Sequence, residues 1–422
     1  MALLESGDEV RAPELLPIRY GRMAVSPFTY FRGAALPMAS DLAGTVDSGF
    51  AVQSCGDAHL ANFGMFGSSD RNLIFDIAQF DETLPAPWEW DVKRLATSME
   101  IVGRNNDYPS RVRRRIVVAV VAAYRRAMRE FAGWTALDVW QSQANLTPMR
   151  ERFASMLGQG ERDRAGRTQP TAQSKDNLGV LDRFVGVKHG FPKMIAEPPL
   201  LVPLDELAEP GADVVAGLHG LLRAYRRSLE PERRVLYDQY RLVDLARTFV
   251  GVGTHSWMVL MLGDDQQDPL FLQVKEAGPS VLETFTKPSE FDNAGRRVVV
   301  GQRLMQAASD MFLGWVRVHS GDDGRTRDFY VRRLRDRRGP VAIETMAPTT
   351  MQAYGELCGS TLARAHARSG DRVAIAAYLG SGDAFEQAVR EFTVAYADQN
   401  ERDHANLVEA IKRGRIQAEH DV

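Results

Sequence analysis

The stretch that decides the fold is Phe50–Thr83, FAVQSCGDAHLANFGMFGSSDRNLIFDIAQFDET. Two short β-like runs lie inside it, Asn62–Phe66 and Asn72–Phe75, joined by a polar turn at Gly67–Asp70. The acidic and amide residues stand at the ends of these runs and not along them, as a site built on loops at strand ends requires. Asp57 and Asn62 are five apart in GDAHLAN, and Asp76 follows Asn62 by fourteen. Phosphoryl transfer uses such a layout: one carboxylate takes the acceptor hydroxyl's proton, while an amide and a second carboxylate hold Mg²⁺ against nucleotide phosphates. Magnesium asks for hard oxygen donors and for few of them from the protein. Asp57 is therefore the candidate catalytic base, and Asn62 and Asp76 are the candidate metal ligands.

Far downstream the hydrophobic period changes to two. From Arg241, RLVDLARTFVGVGTHSWMVLMLGDDQQDPLFLQVKEA reads strand, glycine turn, strand, hairpin turn at Gly263–Asp268, strand. A helix at Asp292–Ser309 and strands at Gly314–Val318 and Asp328–Leu334 complete a unit of about 100 residues, the size of a small domain. Gly251 and Gly253 lie in the first turn, where glycines let backbone N–H groups approach phosphates. Lys275 ends the third strand, where a lysine either pairs with phosphates or guards a sheet edge.

The rest reads mainly as helix. Three- and four-residue spacing of apolar positions predicts helices over Phe28–Leu42, Trp88–Val102, Arg111–Ala132, Ala136–Leu157, Val214–Leu229, 350–368 and Asp383–Arg415. Gly158–Asn177 is polar and reads as a loop, and residues 1–22 as a loosely tied arm. The expected organisation is a helical lobe over 1–240 carrying the catalytic loop and metal-binding segment. A strand-rich nucleotide-binding lobe over 241–345 comes next, and helices over 346–422 complete the helical lobe.

Composition narrows the function classes. Of 422 residues 44% are hydrophobic and 25% charged, and 52 Lys plus Arg against 55 Asp plus Glu leave a net charge of −3. That supports a large core and offers no global basic field for nucleic acid or an anionic membrane. Cys55 and Cys358, the only two cysteines, make neither a disulfide framework nor a thiolate metal site. The apolar run Ile116–Tyr124 falls short of the roughly 20 residues a spanning helix needs. The start, MALLESGDEVR, carries acids and no apolar core of a signal peptide. A cytoplasmic globular protein is expected, with neither nucleic acid nor membrane as partner. Neither zinc-ligand spacing nor a GxSxG elbow is present, which argues against a zinc enzyme and a serine hydrolase.

These motifs together resemble the protein-kinase-like fold, especially its aminoglycoside-phosphotransferase branch, whose catalytic loop commonly reads HGDxHxxN. Here Cys55 replaces that histidine. The order is reversed, since the catalytic loop precedes the glycine turn and the lysine. The helix that would lead into the loop is Met351–Arg368. The resemblance thus implies an α+β, two-lobed kinase-like fold in circularly permuted order, which domains with neighbouring termini tolerate. A closer resemblance, over nearly the whole chain, is to the bacterial domain-of-unknown-function 2252 family. It is carried by SPFTYFRGAA, CGDAHLANFG, FDIAQFDET, WEWDVKRLATS, VGVGT, FLQVKEA, GQRLMQAASD and LARAHARSGD. The family pattern at the acidic strand end reads close to FDxNDFDE; here Ala78 and Gln79 stand in place of Asn-Asp, leaving Asp76 and Asp81.

The resemblance implies further roles. Asp81 is the alternative metal ligand. Asp91, in WEWDVKRL, resembles the buried helix aspartate that holds the catalytic-loop backbone. His59 either contacts phosphate or is structural. Arg32 is either a buried guanidinium tied to a carboxylate or a phosphate contact. Glu283 and Glu290 are the glutamates available to pair with Lys275. His366 reads as a satisfied structural histidine. The basic run Arg325–Arg338 reads as a solvated hairpin face or as a site for an anionic substrate. The expected activity is transfer of the γ-phosphoryl group of ATP, with Mg²⁺, to a hydroxyl of a small molecule or peptide. The alternatives are a catalytically degenerate nucleotide- or partner-binding protein and an AMP transferase.

Overall fold

The computed structural model describes residues 2–8, 11, 13–67, 73–142, 184–188, 191–207, 212–248, 254–264, 268–319, 325–334 and 343–419. The chain opens with helices α1 (Ala2–Ser6), α2 (Leu16–Ala24), α3 (Pro27–Gly33) and α4 (Ala35–Ala43). The expected Phe28–Leu42 helix is thus two helices, broken at Ala34. Strands β1 (Ala51–Ser54), β2 (Phe63–Gly67), β3 (Leu73–Ile77) and β4 (Leu84–Pro87) come next, then α5 (Trp88–Asn105), α6 (Ser110–Ala132) and α7 (Ala136–Gln141). The predicted Gly158–Asn177 loop and the second half of the Ala136–Leu157 helix lie outside the described residues.

Beyond them lie β5 (Val185–Lys188), β6 (Phe191–Met194), β7 (Leu201–Pro203), α8 (Ala212–Ser228) and α9 (Pro231–Tyr237). The strand-rich part holds β8 (Arg241–Thr248), β9 (Ser256–Leu262), β10 (Pro269–Ala277), α10 (Ala294–Met305), β11 (Gly314–His319) and β12 (Thr326–Arg333). Helices α11 (Pro348–Ala367), α12 (Arg372–Leu379) and α13 (Ala384–Lys412) end the chain. The class is α+β.

The main sheet is antiparallel, six-stranded and ordered β11-β12-β10-β9-β8-β7. Its period-two pattern works as alternation should. Leu270, Leu272 and Val274 pack with Leu218, Leu221, Leu222 and Tyr225 of α8, while Phe271 faces a second cluster with Met258, Leu260 and Met194. The sheet layer begins before residue 241: β7 pairs with β8, and α8 covers one face. A three-residue strand leaves too little pattern to be read.

The largest core joins α5, α6 and α11 to β1–β4, and takes in Val298, Val299 and Tyr330 from the sheet side. Helices α6 and α11 approach closely because Gly359 carries no side chain; a Cβ there would meet the Val120 carbonyl oxygen. The arm is not loosely tied. Leu4, Tyr20 and Met23 pack with Leu407, Ala410 and Ile416, and buried Arg19 bonds to Asp8 and to the Gly33 carbonyl. No described helix is long and apolar enough to cross a membrane.

Candidate functional site

Strand β1 delivers the chain to Cys55, and a buried carboxylate shapes the loop beyond that point. Asp91, in the first turn of α5, accepts the Cys55 N–H at Oδ2 (2.6 Å) and the Gly56 N–H at Oδ1 (3.0 Å). His366 of α11 lies 3.1 Å from Asp91 Oδ2 through Nε2, and 2.9 Å from the Tyr124 hydroxyl through Nδ1. The Asp91 carboxylate accepts, so Nε2 carries the proton facing it and Nδ1 accepts from the Tyr124 hydroxyl. All three side chains are buried. Gly56 has φ +77°, and a Cβ there would run into the Glu82 carbonyl oxygen, so glycine is required twice over.

Asp57 is held from both sides. Arg94, buried one turn after Asp91, donates its Nε–H to Asp57 Oδ1 (2.5 Å) and an Nη2–H to the Phe31 carbonyl (2.9 Å). Asn62 donates its Nδ2–H to the Asp57 carbonyl oxygen (2.6 Å) and lies 3.4 Å from Oδ2. The Asp57 side chain keeps 21% exposure. His59 is buried, with Nε2 3.6 Å from Asp57 Oδ2; burial pushes it down to about 3, so it is neutral. Arg32 is not the buried guanidinium: it is exposed, and its charge is felt at His59. The buried arginine beside Asp57 is Arg94.

The metal role expected for Asp76 is not one this geometry offers. Its side chain is fully buried. It accepts the Ile77 and Ala307 N–H groups at 2.9 and 2.8 Å and sits 2.5 Å from Arg364 Nη2. Asp81 stands instead at the accessible turn, its side chain 31% exposed. Its Oδ1 accepts from Lys275 Nζ (2.8 Å) and the Tyr330 hydroxyl (2.9 Å). Burial works against the Asp81 charge, but Lys275, Arg332 and Tyr330 outweigh it and hold the carboxyl below its ordinary range. For Lys275 burial likewise opposes, and Asp81 then raises the ammonium above its ordinary value.

Lys275 therefore pairs with Asp81 and not with a glutamate. Glu283 caps its own turn through the Ser280 N–H (2.9 Å) and faces Arg297 at 3.8 Å. Arg297 ties the segments together, donating to the Thr83 (2.7 Å), Asp81 (2.8 Å) and Gly278 (2.9 Å) carbonyls. Gly251 and Gly253 lie outside the described residues. On β8–β9, Thr248 and Ser256 share a 3.0 Å hydroxyl bond, and Ser256 is opposite Lys275 in register. Farther along the same face, Met194, Leu201, Met258, Leu260 and Phe271 form an apolar cover. A cleft of about 660 Å³ lies around the end of β10, lined by His255, Glu276, Glu283, Arg297 and Arg327 among others. Asp57, Asn62, Asp81 and Lys275 do not line it.

The fold brings the Asp57 loop and the Asp81–Lys275 pair to one turn, through Gly56 against Glu82 and Cys55 against Gln79, and leaves Asp76 and Glu283 facing Arg364 and Arg297. Asn62 and Asp81 are hard oxygen donors of the kind magnesium takes, and that ion uses few protein ligands. Among the described residues no group of three or more His, Cys, Asp and Glu converges as a metal cage. Sequence reasoning missed Arg94, Arg297, Arg364 and Tyr330. Arg94 alone left a signal: an arginine three residues after Asp91 shares its helix face.

This is an α+β protein with a six-stranded antiparallel sheet, and its candidate site lies where a helix-bound loop meets a sheet lysine. The chain belongs to the family described as uncharacterized proteins conserved in bacteria, DUF2252, whose model matches residues 11–410. Comparison with curated proteins and with solved structures finds no match.

Proposed function

We propose that this chain is a kinase-like phosphotransferase in circularly permuted order, acting in the cytoplasm. It transfers the γ-phosphoryl group of ATP to a hydroxyl of a small molecule or peptide. One observation carries the reading: Lys275 and the Asp57 loop meet at the same turn, although the sheet and the loop are far apart in sequence. Lys275 bonds Asp81, Gly56 lies against Glu82, and Cys55 Sγ is 3.4 Å from the Gln79 carbonyl. Asp57, oriented by Arg94 and Asn62, takes the acceptor proton. Lys275 neutralises phosphate charge, and Asn62 with Asp81 would hold Mg²⁺, which would screen the phosphates when bound.

A second reading has its own support. Asp57, Asp76 and Asp81 each face a cation, Arg94, Arg364 and Lys275 respectively, and Gln79 stands where the family pattern has an acid. A site so neutralised suits nucleotide binding without transfer.

A thermal-shift titration with ATP and Mg²⁺ tests both. Ligand at 100 times its Kd stabilises by about 2.7 kcal/mol, a shift of a few degrees for a chain of this size. The expected result is a Mg²⁺-dependent shift lost in Lys275→Ala, with ATP turnover reduced about 10²–10⁴-fold in Asp57→Asn. A shift without turnover selects the second reading. The absence of any shift from a folded wild type at saturating nucleotide removes both.

A further inference from the structure

Helix α6 opens with Ser110-Arg111-Val112-Arg113-Arg114-Arg115 and has no acidic residue in its first turn. Four guanidiniums at that end work against the helix dipole, so helix stability does not explain them. Arg113 is accounted for by Glu100 Oε1 (2.9 Å) and the Tyr108 carbonyl (2.5 Å). Arg111, Arg114 and Arg115 are exposed, and among the described residues none of them is paired with a carboxylate. Arg114 reaches only the Gln387 amide oxygen of α13, at 3.4 Å.

These three arginines line one groove between α6 and α13, about 490 Å³ in volume, with Val112, Val118 and Gln387. No carboxylate lines it. Of the acids beside Gln387, Glu386 is buried and bound to Arg125 at 2.6 Å, and Asp383 accepts from the Gln387 amide at 3.2 Å. Arg390, one turn beyond Gln387, has a buried Nε without a hydrogen-bond partner. The groove is therefore a concave cluster of guanidiniums on a chain whose net charge is −3. Planar guanidinium forks match phosphoryl oxygens in pairs, and several within a few ångströms match a compact polyanion better than a single carboxylate.

We propose that this groove binds a ligand carrying two or more phosphoryl groups, held by Arg111, Arg114 and Arg115. The site is separate from the Asp57–Lys275 cluster and does not depend on its function.

Inorganic tripolyphosphate is the probe, titrated calorimetrically into the full chain at low salt. The wild type is expected to bind, with affinity falling as salt rises. An Arg114→Gln, Arg115→Gln double variant should bind at least tenfold more weakly at this site. Lys275→Met should leave it unchanged, which separates the groove from the other cationic centre. Both arginines are exposed, so the double variant is expected to keep its fold, checked by circular dichroism. Vesicles bearing a bisphosphorylated inositol head group distinguish the source. Arginine-dependent sedimentation with them assigns the anion to a lipid, and tripolyphosphate binding without sedimentation assigns it to a free polyphosphate. Tripolyphosphate affinity in the double variant within twofold of wild type overturns the proposal.

Discussion

Lys275 Nζ and Asp81 Oδ1 lie 2.8 Å apart although 194 positions separate them in the chain. The contact ties β10 to the turn after β3, and it brings the sheet's lysine to the loop cluster that holds Asp57. Contacting charged pairs couple by about 0.5–3 kcal/mol. A double-mutant cycle of Lys275→Met and Asp81→Asn in urea unfolding is expected to return a coupling in that range. Its acid limb has a defined sign. The Asp81 carboxyl is lowered on folding, so its contribution is present above its ordinary value of 3.8 and lost as pH falls through the folded value. Coupling near zero at neutral pH would leave the contact without energetic meaning.

His59 gives a second pH-dependence. Its folded value of about 3 lies below the ordinary 6.5, because burial penalises the imidazolium. Between those values the unfolded chain binds a proton that the folded chain does not. Stability should therefore be full above pH 6.5 and fall as pH drops toward 3, by an amount on the order of a few kcal/mol. The measurement is unfolding free energy against pH for wild type and His59→Gln; superimposable slopes would exclude the assignment.

Asp76→Asn separates a structural from a metal-binding role. Removing one partner of a buried ion pair costs about 3–5 kcal/mol, and the substitution leaves the Arg364 guanidinium buried without a counter-charge. The expected outcome is a large loss of stability with Mg²⁺-nucleotide affinity unchanged per folded molecule. Retained stability with lost Mg²⁺ dependence would restore Asp76 as a ligand.

Gly56→Ala should be among the most damaging substitutions that change a single methyl group. It places a Cβ at φ +77° and against the Glu82 carbonyl oxygen. Strain of this kind costs about 1–3 kcal/mol, and relief would move Asp57 away from the turn. Denaturant midpoints report the first effect and ATP turnover the second. A variant matching wild type in both would show that the loop is softer than its contacts imply.

Tyr124→Phe removes one hydrogen bond and nothing of the packing against Trp88, whose ring is stacked at 5.5 Å. His366 Nδ1 is then left without its donor. A loss of about 1–3 kcal/mol is expected for that unsatisfied buried group, measured by urea unfolding. A neutral result would mean that His366 adopts the other tautomer without penalty.

Much of this was legible in the residues themselves. The period-two runs after Arg241 became β8, β9, β10, β11 and β12, with the helix between β10 and β11. The spacings over 88–132 became α5 and α6. Long periodic segments announce themselves because burial on one face selects the pattern. Among short strands, β2 and β3 were read, while others were not. Leu84–Pro87 carries two prolines, and Leu201–Pro203 has three residues; each is a strand only because a partner lies beside it.

The residue types that can carry phosphoryl chemistry, Asp57, Asn62 and Lys275, were also set out by sequence alone, as was the aspartate that organises the loop. What only tertiary structure decided is how each charge is spent. Asp76 and Asp81 look alike in FDIAQFDET, yet one is closed in by Arg364 and the Ala307 N–H, while the other faces Lys275 at the surface of the turn. The two differ because α11 and the end of α10 arrive at one and not at the other. A carboxylate's work is set by the cation and the solvent around it, and those come from segments hundreds of positions away.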